Sequence, residues 1–144
     1  VVRAHERPRA HVAEGAFLAG SGFVTAMIDV SDGLATDLRH VLAESGGLGA
    51  TIDEDAIPIT AATREVADEV GLDPLDLALG GGEDYALLLA ARPEDAQGLA
   101  VAFRERFGVD LARIGCVEAE PGLRLRRGRA VETVPARGFE HWRS

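Results

Sequence analysis

Apolar residues recur along this chain with two periods, and the alternation between them marks out its elements. Residues 8 to 20 read as a helix entered through Pro8, with Val12, Phe17 and Leu18 among its apolar positions, and Gly20-Ser21-Gly22 breaks it. Phe23 to Val30 is mostly apolar and reads as a central strand. Asp32 to Ser45 follows as a helix with Leu34, Leu38, Val41 and Leu42 on one face, stopped by Gly46, Gly47 and Gly49. Ala50 to Asp53 is a short strand. Ile59, Thr63, Val66 and Val70 then mark an amphipathic helix that Gly71 ends. Asp73-Pro74 starts a helical turn, because an acidic cap followed by proline at the first helical position is a start signal.

Tyr85 to Ala91 is an apolar run of the kind found in interior strands. In Pro93 to Phe107, Leu99, Phe103 and Phe107 recur every fourth residue, and Gly108 lies beyond the end of this helix. Strands are expected at 111–118, 123–126 and 130–134, with the aromatic tail Gly138-Phe139-Glu140-His141-Trp142 docked at the end. This order predicts an α+β fold in which helices are layered on a mixed β-sheet. The last third carries too little helix for a fully doubly wound parallel sheet.

At 144 residues the chain is expected to form a single domain, and its 47% hydrophobic and 27% charged residues suit a soluble globular protein. A net charge of −9 argues against nucleic acid or an anionic membrane as partner, since phosphate backbones are held by clustered positive charge. Arg124, Arg126, Arg127 and Arg129 form a short basic run, read as a solvated strand or hairpin face. All 15 basic residues are arginine. The absence of lysine excludes a Schiff-base lysine and a phosphate-loop lysine from this chain. The lone Cys116 cannot form an internal disulfide and, lying in the apolar run Ile114-Gly115-Cys116-Val117, is expected to be buried. Without export signals or disulfides, a cytoplasmic location is expected. The chain opens on valine, which suggests a domain cut from a longer protein.

The candidate chemistry sits where the first strand meets its helix. Asp29, Ser31 and Asp32 crowd one junction, and two ionised carboxylates so close repel unless a cation or hydrogen-bond donors lie between them. Oxygen clusters of this kind suit magnesium, which takes one or two carboxylates together with substrate phosphates. Capping of the following helix would account for Ser31 or Asp32, but not for three oxygen-bearing side chains within four residues. A second feature is Gly80-Gly81-Gly82-Glu83-Asp84-Tyr85. It lacks the Lys-Ser/Thr of a phosphate loop and leads into a strand, unlike a dinucleotide fingerprint. His5, His11, His40 and His141 show no metal-ligand spacing. Trp142, the only tryptophan, reads by default as a core anchor.

Residues 26–34, AMIDVSDGL, followed by ALGGGEDYALL at 78–88 and by Gly138-Phe139-Glu140-His141-Trp142, resemble thiamine-monophosphate kinase. Arg7-Pro8-Arg9 is similar to that family's entry into its second half. The wider superfamily includes aminoimidazole-ribonucleotide synthetase, selenophosphate synthetase and a hydrogenase-maturation enzyme, all users of ATP and magnesium. The GGEDY element and the aromatic tail favour the thiamine branch. The resemblance implies a fold like the aminoimidazole-ribonucleotide synthetase carboxy-terminal domain, and ATP-dependent phosphorylation of thiamine monophosphate to thiamine diphosphate. It implies Asp29 and Asp32 as magnesium ligands and catalytic residues, Ser31 as an ATP contact, and Glu83 and Trp142 as substrate contacts. It also implies a homodimeric complete protein, of which residues 1–144 are the carboxy-terminal half of a two-domain kinase.

Two local departures are the long turn Ser45-Gly46-Gly47-Leu48-Gly49-Ala50 and Trp142 in place of another aromatic. The larger one is the missing amino-terminal half, without which little or no kinase activity is expected. The rival readings are another ATP-using synthetase of the superfamily and a non-catalytic thiamine-phosphate-binding module.

Overall fold

The computed structural model describes residues 9–135, so the tail that includes Trp142 lies outside the described residues. Five helices and six strands run in the order α1 (Val12–Gly20), β1 (Val24–Asp29), α2 (Leu34–Glu44), β2 (Gly49–Asp53), α3 (Ala61–Val70), α4 (Pro74–Gly80), β3 (Leu87–Ala91), α5 (Pro93–Phe107), β4 (Gly115–Glu118), β5 (Gly122–Arg127) and β6 (Ala130–Thr133). Side chains cap two helices, at Asp73 as the sequence predicts and at Thr60, which the apolar pattern had not marked. Thr60 accepts the Thr63 amide at 3.1 Å ahead of α3, and Asp73 accepts the Leu75 amide at 2.9 Å ahead of α4. Gly71 and Gly108 close α3 and α5 in the left-handed conformation that glycine adopts without a Cβ penalty.

The strands form two sheets. β4, β2, β5 and β6 make a mixed four-stranded sheet in that order, with β2 parallel to β5 and the other pairs antiparallel. β1 and β3 make a separate antiparallel ribbon. Both of its strands were expected inside a larger sheet; each has one partner among the described residues, and neither is fully buried. Its two faces serve two apolar clusters, which is why both strands are nonetheless apolar. Val24, Met27, Leu87, Leu89 and Ala91 pack with Leu18 of α1 and with Leu99 and Phe103 of α5. Leu88, pointing the other way, packs against the cluster of α2, α4, β2 and β5.

That second cluster holds Leu34, Leu38 and Leu42 of α2 against Ile52, Leu123 and Leu125 of the four-stranded sheet, with Leu75 and Leu79 of α4 beside them. Three phenylalanines join α1 to α5, the Phe17 and Phe107 rings meeting edge to face at 5.4 Å between centroids.

Two expectations need correction. The strand expected at 111–118 begins at Gly115, because pairing with β2 starts at the Ile52–Gly115 position. Residues 111–114 serve instead to carry Leu111 to one cluster and Ile114 to the other. Cys116, expected to be buried, is exposed, because β4 is the edge strand of its sheet and its middle residues are uncovered. The basic run lies on the β5–β6 hairpin, where Arg124 pairs with Glu118 at 3.1 Å and Arg126 pairs with Asp53. No helix among the described residues is long and apolar enough to cross a membrane.

Leu79 is completely buried at the end of α4, immediately before the glycine loop. Leu79→Ala is expected to destabilise the protein by about 2–5 kcal/mol, read as a lower midpoint in urea denaturation with an unchanged slope.

Candidate functional site

Asp29 is the last residue of β1, and the chain from Val30 to Gly33 turns from that strand into α2. Val30 is buried, at 5% exposure, and anchors the turn in the core. Asp29 and Asp32 on either side of it are exposed, and Ser31 is half-buried. Gly33 serves as the helix cap with φ at 108°, a value that side-chain-bearing residues rarely adopt. Neither Ser31 nor Asp32 caps α2, since no side chain caps its N-terminus. The helix-cap explanation of these two residues is therefore removed.

The glycine segment lies directly against this turn. The Tyr85 amide donates to the Val30 carbonyl at 2.8 Å and the Val30 amide to the Ala86 carbonyl at 2.8 Å, so the β1–β3 pairing continues beyond the strand ends. One step further, the Glu83 amide donates to the Ser31 carbonyl at 2.8 Å. The approach is closer than any side chain allows. A Cβ on Gly82 would stand 2.5 Å from the Ser31 carbonyl oxygen, and one on Gly33 would stand 3.1 Å from the Gly80 backbone. Glycine is thus required at Gly82 by contact, and at Gly33 by both contact and conformation.

Glu83 and Tyr85 have φ of 66° and 50°, in the left-handed region that costs a residue with a side chain roughly 1–2 kcal/mol. Their amides are the ones tied to Ser31 and Val30, so the facing turn holds the loop in this conformation. Glu83 also has further interactions. The carboxyl pKa of Asp84 is raised above the ordinary 3.8, because neighbouring atoms desolvate its charged form even though the residue is exposed.

The structure therefore sets the turn that carries Asp29, Ser31 and Asp32 against the loop that carries Glu83, backbone to backbone. Trp142 falls outside the described residues. Asp37 was not singled out by sequence reasoning. At 2% exposure it is one of the most buried polar residues, and its Oδ2 accepts the Ser31 amide at 2.9 Å and the Asp32 amide at 3.0 Å. The available signal was an acid in the first turn of α2.

Among the described residues, no arginine or histidine forms an ion pair with Asp29 or Asp32. No group of three or more His, Cys, Asp or Glu side chains is placed to hold a metal ion among them either. Two exposed carboxylates without a positive neighbour fit a hard cation that takes its remaining ligands from phosphate and water. They do not make a closed metal cage.

An α+β domain with this acidic strand-to-helix junction is the class defined by fold and site. The chain belongs to the family described as AIR synthase related protein, C-terminal domain, whose profile matches residues 2–128. Within it, the chain is 36% identical over 138 residues to the thiamine-monophosphate kinase of Rhodopirellula baltica, an alignment covering 95% of this chain and 42% of that protein. Among solved structures it is similar to one described as AaThiL complexed with AMPPCP and TMP, with a TM-score of 0.69, 28% identity and coverage of 86% of this chain and 36% of that one. It is also similar to Escherichia coli HypE, a hydrogenase maturation protein, with a TM-score of 0.74, 26% identity and coverage of 90% and 40%. The chain spans about two fifths of the length of the curated relatives it matches.

Gly82→Ala is expected to cost about 1–3 kcal/mol and to speed hydrogen exchange at the Glu83 amide, as the two loops are forced apart. Gly80→Ala, where an added Cβ meets nothing within 4 Å, is the control, with stability unchanged within about 0.5 kcal/mol.

Proposed function

We propose that this chain supplies one side of the site at which thiamine monophosphate is phosphorylated by ATP to thiamine diphosphate. The carrying observation is the convergence of the Asp29-Val30-Ser31-Asp32 turn and the Glu83 loop, joined by the Glu83–Ser31 backbone hydrogen bond at 2.8 Å. The similarity to thiamine-monophosphate kinases over 95% of the chain supports this choice of reaction. The neighbour complexed with AMPPCP, an ATP analogue, and TMP supports the pair of substrates.

In this reading Asp29 and Asp32 hold magnesium, Ser31 contacts ATP, and Glu83 and Trp142 contact the thiamine phosphate. Magnesium would supply charge neutralisation for phosphates that otherwise repel. The acceptor oxygen of thiamine monophosphate is already anionic, so no residue need act as a strong general base. What remains for the protein is in-line positioning and exclusion of water. Asp29, Asp32 and Glu83 are exposed in this chain, so excluding water from the site would need a second surface. We assign that surface to an amino-terminal half and take the complete protein to be a cytoplasmic homodimer. The isolated chain is then inactive.

A second reading, another ATP-using synthetase of the superfamily, draws on the likeness to HypE at a TM-score of 0.74. The two are separated by giving magnesium-ATP and thiamine monophosphate to the chain expressed with any flanking sequence its gene encodes. Thiamine diphosphate formed with matching ATP consumption is the expected result. ATP binding without that product would favour the second reading, and thiamine phosphate binding without ATP use would favour a sensor.

In the active protein, Asp29→Asn is expected to lower kcat at least about a hundredfold while leaving the thermal midpoint unchanged, because the carboxylate is needed for its charge and not for packing. Trp142→Ala is expected to raise the KM for thiamine monophosphate more than that for ATP. Equal losses for both substrates would reduce the tail to a structural role.

A further inference from the structure

We propose that Asp37 is a positioning residue that holds the strand-to-helix turn in the shape that binds a divalent cation, by accepting the Ser31 and Asp32 amides. The inference rests on the reading of Asp29 and Asp32 as cation ligands. Turns of this shape commonly bind anions, because the free amides at a helix start point outward and the helix dipole favours negative charge. Here the two amides just ahead of the helix, those of Ser31 and Asp32, are already used. One oxygen of Asp37 accepts both the Ser31 and the Asp32 amide, at 2.9 and 3.0 Å. Asp37 reaches them from within the helix, past Gly33, whose carbonyl takes the Thr36 and Asp37 amides at 3.0 Å each.

Two consequences follow from this geometry. With the Ser31 and Asp32 amides turned inward, the exposed carboxylates of Asp29 and Asp32 remain at the junction and suit a hard cation. In addition, the two peptides that carry Ser31 and Asp32 are fixed by charge-assisted bonds to a side chain only 2% exposed. The Ser31 carbonyl is held from the opposite side by the Glu83 amide at 2.8 Å. The ligand-bearing turn is thus clamped between α2 and the glycine loop. Asp37 itself is withdrawn from solvent, at 2% exposure and with one oxygen committed to two amides. Its remaining oxygen lies 4.0 Å from Nδ1 of His40 on the next turn.

The test measures Mn2+ binding by electron paramagnetic resonance, with AMPPCP present, in the chain expressed with its encoded flanking sequence. Asp37→Asn keeps an acceptor but not the charge, and Asp37→Glu keeps the charge but displaces it. Each is expected to weaken Mn2+ binding about 10–100-fold, the range typical of groups that orient metal ligands, with the far-UV spectrum unchanged. Unchanged Mn2+ affinity in whichever variant folds would overturn the proposal and leave Asp37 a helix stabiliser.

Hydrogen exchange in the unsubstituted protein needs no variant. The Ser31 and Asp32 amides are expected to exchange at least about a hundredfold more slowly than unstructured peptide, and exchange at the free-peptide rate would also overturn the clamp. Failure of the underlying reading looks different. In that case Asp29→Asn leaves Mn2+ binding unaltered while the two amides remain protected.

Discussion

The site depends on backbone pairing that runs past the ends of the β1–β3 ribbon. Val30 exchanges hydrogen bonds with Tyr85 and Ala86, and Ser31 takes one from Glu83, so two loops distant in sequence form one sheet-like surface. Close approach is possible because Gly82 and Gly33 present no Cβ where backbone must meet backbone. The same hydrogen bonds hold Glu83 and Tyr85 in left-handed conformations that side chains disfavour. Strain in the loop, absence of side chains at the contact, and the position of the acidic turn are one constraint seen from three places.

Electrostatics give that surface its chemical bias. The protein carries a net charge of −9 and no lysine. Arg124 and Arg126 of the β5–β6 hairpin are engaged with Glu118, Glu120 and Asp53. Asp29 and Asp32 stand without a cationic partner among the described residues, in front of a buried Asp37 that takes up the local amides. Negative charge left uncompensated in this way favours a bound cation over a bound anion.

Fold alone does not select the substrate. The chain superposes as well on HypE, at a TM-score of 0.74, as on AaThiL, at 0.69, although those two proteins carry different names and roles. A shared scaffold is expected where function is grafted onto a common fold. The Glu83 loop and the tail motif at residues 138–142, which lies outside the described residues, are where the sequence resembles the thiamine branch.

The sequence by itself determined the order of helices and strands, because apolar period, proline starts and glycine stops are local signals. Asp73-Pro74 and Gly108 mark helix ends within one residue of where they fall. It also determined the acidic junction, since Asp29 interrupts an apolar run in a way that packing does not explain. Only the tertiary structure decided how the strands are shared between two sheets, since pairing partners lie far apart in the chain and both sides of an apolar strand look alike in sequence. It likewise placed Cys116 on an exposed edge and set the Gly82 contact with Ser31. Asp37 is the clearest case. One buried carboxylate in a helix reads as an ordinary first-turn acid, and its grip on two amides exists only once the turn has folded back over it.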